Sequence, residues 1–441
     1  MTQAYPDPAT SIQARSLSAA GFDDADIAVV GAGVIGTACA LELARKGFRV
    51  RVLDSDAPGM GASFGNAGHM ATEQVFPIAD ASLLTRIPGM LMDPTGPLRL
   101  DWRYLPRSIP WLVRLLWNLR PSPYQASVAG IRALNEVSLA TWKTLLTSID
   151  KTWLLRHEGS LLVHESEATA GELAHAMGRF SAQGVACERL SGDGVRQLAP
   201  SLTANIRGGL LFPETGHVMD PHQVVKDLAK AAEAIGVRFS RAEVTGGQAS
   251  DVGIRLQTSG GVLEVPRVLV AAGAHSASLV ASLTGVRVPL DTERGYHLML
   301  PREGGRLPMA VTSLERRFIM TPLAEGLRLA GTVEFAGLQR PPRMERAWRL
   351  RQLAEGMFSQ PLDEAEATPW MGFRPSLPDS LPIIDRAGPE DRVLLAFGHH
   401  HLGLTQAAVT ARLIGQFTSL EHETLEPGLP SPRPYRLARF A

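Results

Sequence analysis

The chain has 441 residues, 45% apolar and 20% charged, with 44 basic side chains balanced by 44 acidic ones. That composition belongs to a globular protein long enough for two cores, and it excludes a disordered chain, a collagen-like fibre and a small disulfide scaffold. Zero formal charge argues against nucleic-acid binding through bulk charge, and two distant cysteines without ligand spacing, Cys39 and Cys187, read as reduced thiols of a cytoplasmic protein.

Residues 1–21 have no apolar signal-peptide core and read as a flexible leader. No run of eighteen apolar residues occurs, so no spanning helix is expected. Asp26–Val30 is a short apolar run of the kind buried in a parallel sheet. Gly31-Ala32-Gly33-Val34-Ile35-Gly36 follows, then a helical pattern ending at Gly47, then a second strand closing on Asp54. G-x-G-x-x-G between a strand and a helix, with an acid ending the next strand, is a dinucleotide fingerprint. Gly31 makes the turn, Gly33 admits a pyrophosphate, Gly36 lets the helix pack close, and Asp54 accepts from the adenosine ribose. An acid at that position disfavours a 2′-phosphate. The next stretch, Asp56–Met70, is rich in Gly, Ala, Ser and Asn. It suits close backbone approach to a flat ring and separates FAD from NAD.

Residues 98–124 are basic and aromatic. Trp111, Leu112, Leu115, Leu116 and Leu119 share a helical face flanked by Arg107, Arg114 and Arg120. Such a face either lies in a membrane interface or packs on the dinucleotide domain. Farther on, ALNEVSLATWKTLLTSI and MERAWRLRQLAEGMF read as helices, and HEGSLLVHES and RRFIMTPLAEGLRLAGTVEF as strands. Two more strand–turn–helix units follow the pattern of the first. One centres on Ala271-Ala272-Gly273-Ala274-His275, the other on Gly398-His399-His400-His401-Leu402-Gly403. The second would aim a helix N-terminus at an anion.

These three units in this order resemble the FAD-dependent D-amino-acid oxidase superfamily, with the nearest likeness to the bacterial D-amino-acid dehydrogenase small-subunit type. The resemblance runs from about Asp26 to about Leu420. It is carried by VVGAGVIGTACALELARKGFRVRVLD, GASFGNAGHMA, GHVMDPHQVVKDLAKAAEAIGV, VLVAAGAHS, WMGFRPSLPDSLPIID and FGHHHLGLTQAA. It implies an α/β fold in which a Rossmann-like FAD-binding domain (22–80, 208–285 and 368–441) interleaves with an α+β substrate domain (81–207 and 286–367) built on an antiparallel sheet. Gly31, Gly33, Gly36 and Asp54 would hold the ADP half of FAD. Ser63, Asn66, Ala67 and Gly68 would lie along the flavin and ribityl chain, and Val244 at the adenine. Ala272 and Gly273 would cover the pyrophosphate, and Gly398, Gly403, Leu404 and Thr405 would reach the flavin pyrimidine edge. Neither cysteine matches an attachment site, so the FAD is expected to be noncovalent.

The implied reaction is oxidation of a D-amino acid, or an imino acid such as hydroxyproline, with electrons passed to a quinone or respiratory chain. Alternatives are an oxygen-using glycine or sarcosine oxidase and a catalytically silent FAD-binding subunit. The implied location is cytoplasmic, with peripheral contact on the inner membrane face through 107–120 as one possibility.

Arg374 offers a bidentate fork for a substrate carboxylate, or else pairs with Asp379 or Asp385 in its own loop. Tyr296 either hydrogen-bonds substrate or is a core tyrosine, and Arg294 either meets substrate or pairs with a carboxylate. His69 either accepts the amine proton or satisfies its loop. Of the three consecutive histidines, one is expected to face flavin and substrate, and His399 is taken for it. Three neighbours on one turn cannot all face one ion, so no metal is expected.

Overall fold

The computed structural model describes residues 24–80, 98–418 and 426–441. The expected leader lies outside them.

Ile27–Val30 is buried at all four positions, as a strand flanked on both sides and covered on both faces must be. It forms the middle of a six-stranded sheet. The order is Arg238–Arg241, Val50–Asp54, Ile27–Val30, Arg267–Val270, Val393–Phe397, Ile383–Ala387. All pairs are parallel except the last. Helices Val34–Arg45, Pro221–Ala234 and Gly403–Phe417 pack on one side with a single apolar core. The second of these starts on an Asp220 cap that accepts from His222 and Gln223 N–H, with Pro221 in the first turn.

The second layer is a nine-stranded, largely antiparallel sheet. Next to its edge, strand Asp291–Leu300 pairs with Gly326–Phe335 on one side and with the edge strand Thr368–Ser376 on the other. Two expected boundaries move here. The resemblance implies that Thr368–Ser376 belongs to the FAD domain, but its backbone pairs over nine positions with Asp291–Leu300. Gly208–Phe212, assigned likewise, pairs with Ser160–His164 in the same large sheet. The long helix Pro121–Thr147, placed in the substrate domain, instead lays Trp142 against Gly403–Phe417, with its indole N–H 2.8 Å from the Leu404 carbonyl. Burial of that indole decides the docking, and linear position along the chain does not.

One bulge matters for the site. Regular alternation along Gly326–Phe335 would put Arg328 and Glu334 on the same face. Thr332, at φ +58°, shifts the register by one, so Arg328 lies opposite Met299 while Glu334 lies opposite Arg294.

Helix Leu105–Asn118 divides the expected apolar face. Trp111 and Leu115 are buried against Ala79 and Phe335, and the Trp111 indole donates to the Ser376 carbonyl at 3.1 Å. Trp111 and Leu115 of the expected face thus pack internally, whereas Leu116 is exposed. No helix among the described residues is long and apolar enough to cross a membrane.

Candidate active site

The first turn of Val34–Arg45 is built by its glycines. Gly31 has φ +108°, and a side chain there would strike the Ala271 backbone, while one on Gly36 would strike the Gly31 carbonyl. The Gly33 Cβ position lies 3.3 Å from Ser63 Oγ. The helix has no side-chain cap from Gly33, and its exposed N–H groups and dipole form a seat for an anion. Asp54 stands beside it, accepting from Ala32 N–H at 2.7 Å, and Ser63 accepts from Val34 N–H at 2.9 Å. Ala242, two residues before Val244, donates to the Asp54 carbonyl. Ala272 abuts Gly31, with Gly273 next to it in the chain. A cradle that any Cβ would fill, with an acid at its rim, fits the ADP half of FAD.

The other end of this groove runs under the large sheet. Three residues of that sheet reach the loop at 64–66. His297 bonds the Gly65 carbonyl at 2.9 Å, Arg328 donates to the Asn66 carbonyl at 2.6 Å, and the Trp370 ring occupies the space where a Gly65 side chain would be. Asn66 Oδ1 in turn accepts from Gly68 N–H. Ala67 lies between them. Gly398, at φ +83°, makes room for Leu377. Helix Gly403–Phe417 begins just beyond, carrying Leu404 and Thr405 in its first turn. Thr405 Oγ1 accepts from Ala71 N–H, which ties that helix to the end of the small-residue loop.

Arg374 is brought to this groove. It lies opposite Glu293 across the strand pair, and its guanidinium rests over Gly295, where a side chain would collide with it. It makes no hydrogen bond or ion pair among the described residues, so neither Asp379 nor Asp385 holds it. Asp379 pairs with Arg439, and Asp385 accepts from Leu437 N–H. Burial lowers the Arg374 pKa, and Glu293 opposes that. Burial alone would push the Glu293 carboxyl up, but hydrogen bonds from His400 and Ser376 and the charge of Arg374 hold it at about 2. A buried anion thus faces a half-buried cation that has spare donors.

The three histidines have three different surroundings. His399 is buried against Thr410 Oγ1 at 3.0 Å. His400, at φ +52°, contacts Ser376 Oγ and accepts from Leu377 N–H. His401 has no hydrogen-bond partner among the described residues. Burial and then Arg374 lower its pKa to about 4, leaving a neutral imidazole near the guanidinium. His401 is thus the one ring of the three without a hydrogen bond among the described residues, beside Arg374. Sequence reading could not choose among three neighbours, because the choice depends on the twist of one turn.

His69 bonds the Gly216 carbonyl through Nδ1 (3.1 Å) and Glu73 through Nε2 (2.9 Å). Both partners are acceptors, so a proton sits on each ring nitrogen or on Glu73. Burial opposes charge on His69, but Glu73 and the hydrogen bonds raise its pKa. A ring so occupied has no lone pair for an amine proton. Tyr296 donates to Glu334 at 2.6 Å and is fully buried, with its phenol pushed up to about 12 by burial and Glu334. Arg294 is enclosed, donating to the carbonyls of Gly337, Arg340 and Pro341. Tyr296 and Arg294 thus point away from the groove. Residues missed from sequence are Glu293, His297, Arg328 and Trp370. The alternation Trp370, Gly372, Arg374 would have marked that face had the strand been recognised.

The FAD dependent oxidoreductase family model matches residues 26–417. A D-amino-acid oxidase of Bradyrhizobium diazoefficiens is 35% identical over 404 residues, 89% of this chain and 94% of its own length. A D-amino acid dehydrogenase of Cereibacter sphaeroides is 31% identical, covering 88% and 90%. In fold, a glycine oxidase from Geobacillus kaustophilus superposes with a TM-score of 0.70 at 22% identity, over 90% of this chain and 96% of that one. The chain belongs to the family of FAD-dependent oxidoreductases that includes D-amino-acid oxidase. It is an FAD-dependent enzyme with the α/β fold of that family.

Proposed function

We propose that this enzyme oxidises a D-amino acid, or a cyclic imino acid such as hydroxyproline, at its Cα–N bond. The observation that carries this reading is Arg374, a guanidinium with unused donors at the mouth of the cofactor groove. Its planar fork matches a carboxylate. FAD, held noncovalently by the glycine turn and the small-residue loop, supplies the acceptor for the hydride leaving Cα. Arg374 fixes the carboxylate, which sets the direction of the Cα–H bond. Glu293 limits the net charge beneath it, and neutral His401 leaves the local field dominated by the guanidinium. No protein base is required if the substrate binds with a neutral amine. Loss of hydride from the neutral amine gives an iminium, its nitrogen proton passes to solvent water, and water converts the resulting imine to a 2-oxo acid and ammonia when the amine is primary. The names of relatives support a D-amino-acid substrate. We assign the electrons to a non-oxygen acceptor such as a quinone.

An anaerobic screen of D- and L-amino acids, followed by bleaching of oxidised flavin, tests this. D-enantiomers or hydroxyproline should bleach it, and failure of all of them would remove the reading. Because one relative is named an oxidase, peroxide is measured in air. Stoichiometric peroxide at full turnover would replace the quinone with oxygen. Acid precipitation should release all the yellow colour.

A further inference from the structure

Helix Leu105–Asn118 has a second apolar face. With Trp111 and Leu115 turned inward, Ile109, Val113, Leu116 and Trp117 stand exposed at spacings that align them on one side. Trp102, in the turn before the helix, joins them. Val113, Trp117 and Trp102 are 60%, 62% and 66% exposed. Of twelve exposed large apolar side chains among the described residues, these five fall within sixteen positions. Surface apolar residues scattered singly need no explanation, but a cluster does.

The charge around the cluster indicates its partner. Between Asp101 and Glu136 the chain has no acidic residue, and four arginines, Arg103, Arg107, Arg114 and Arg120, lie on this helix or within two residues of its ends, in a protein whose formal charge is zero. Arg103, Arg107 and Arg114 make no side-chain hydrogen bond or ion pair among the described residues. Arg120 lies over the Trp117 ring, 3.3 Å from its centroid. Tryptophans and aliphatics bordered by unpaired arginines form the pattern of a helix that lies in a lipid interface. A second copy of the chain is a poorer partner, because a two-fold contact would set the same unpaired arginines against each other.

We infer that this face, Trp102 with Ile109, Val113, Leu116 and Trp117, docks the enzyme on an anionic phospholipid surface. The helix is fixed to the strands of the active site. Trp111 bonds the Ser376 carbonyl, and Tyr104 donates to Asp291 at 2.8 Å. Docking therefore holds the substrate sheet at a set orientation to the bilayer. The inference depends on the surface alone and not on which substrate or acceptor is used.

The test is co-sedimentation of the full-length FAD-loaded protein with vesicles of phosphatidylcholine, alone or mixed with phosphatidylglycerol. Binding is expected to the mixed vesicles and to weaken with salt. Each arginine near an anionic surface contributes roughly a five-fold factor, so Arg107→Glu with Arg114→Glu should weaken binding by at least about 25-fold. Val113→Glu with Trp117→Glu should abolish it. Flavin content and dye-linked turnover in detergent should stay at wild-type values in both variants. Wild-type protein left in the supernatant with anionic vesicles at low salt would overturn the inference. So would vesicle binding unchanged in both variants. A dimer that Trp117→Glu dissociates, seen by sedimentation velocity, would overturn it in favour of a contact between copies.

Discussion

The two faces of the strand pair Asp291–Leu300 and Thr368–Ser376 carry similar residues put to opposite use. On one face Arg294, Tyr296 and Glu334 satisfy one another and the carbonyls of 336–341, under helix Glu345–Leu353. On the other, one position away, Arg374 lies over Gly295 with no hydrogen bond or ion pair among the described residues, beside a Glu293 that accepts from Ser376. An arginine whose donors are all used holds structure, whereas one with donors to spare can hold a ligand. Residue type and neighbourhood in the chain do not make this distinction. The count of filled donors does.

Exchanging the roles of the two arginines should break the comparison most sharply. Arg294→Ala leaves the buried Glu334 with only the 3.8 Å contact to Arg343 as its ion pair and should cost about 3 kcal/mol of stability, read as a lowered urea midpoint. Arg374→Ala should leave FAD content and the midpoint near wild type. It should lower kcat/KM by roughly 30- to 1000-fold, the loss of about 2–4 kcal/mol of charge-assisted hydrogen bonding. Arg374→Lys should recover only part of it. Near-normal kcat/KM in Arg374→Ala would sink the assignment.

A smaller effect follows from the floor beneath the guanidinium. Gly295→Ala places a methyl where Arg374 lies. The far end of a flexible side chain can yield, so the protein should fold, with kcat/KM lower by about ten-fold from misplacement. An unchanged kcat/KM would mean that the position of Arg374 over Gly295 is not needed.

Acid should separate the faces by stability. His297 and His399 are buried and neutral, each lowered to about 3, with burial the main cause. Below the unfolded value of 6.5 the unfolded chain binds protons that the folded state refuses. Stability therefore falls as pH drops from 6.5, by up to about 1.4 kcal/mol per pH unit for each ring. Glu293 adds the same sign lower down: its contribution is present above 4.5 and lost as pH falls toward 2. His69, raised, has the opposite sign, its contribution being lost as pH rises through its folded pKa. Urea midpoints that stay level from pH 6.5 to 5 would contradict the burial of neutral rings. Least of all, Tyr296→Phe should cost about 1 kcal/mol of stability and leave kcat/KM within a few-fold. A large kinetic loss there would return Tyr296 to the substrate.

The glycine turn, Asp54, and the strands on either side were legible in sequence because each depends on local backbone geometry. A positive φ or a close approach leaves a glycine in the chain, and a buried parallel strand leaves an apolar run. Arg374 was legible as a candidate because it sits in a motif-bearing segment. Its free donors were not, since they depend on what Asp379, Asp385 and Glu293 bond instead.

By itself, then, the sequence determined the cofactor class, the order of the three strand–turn–helix units, and the histidine turn near the C-terminus. Tertiary structure alone decided that Thr368–Ser376 joins the substrate sheet, that the Thr332 bulge parts Glu334 from Arg328, and that His401 rather than His399 is left unbonded. It also decided which side of Leu105–Asn118 is buried. Both of its sides are apolar in sequence, and only the packing of Trp111 against Ala79 and Phe335, with its bond to Ser376, tells inside from outside. Local geometry is written in residue type, while the pairing of donors and the burial of a face are set by residues hundreds of positions away.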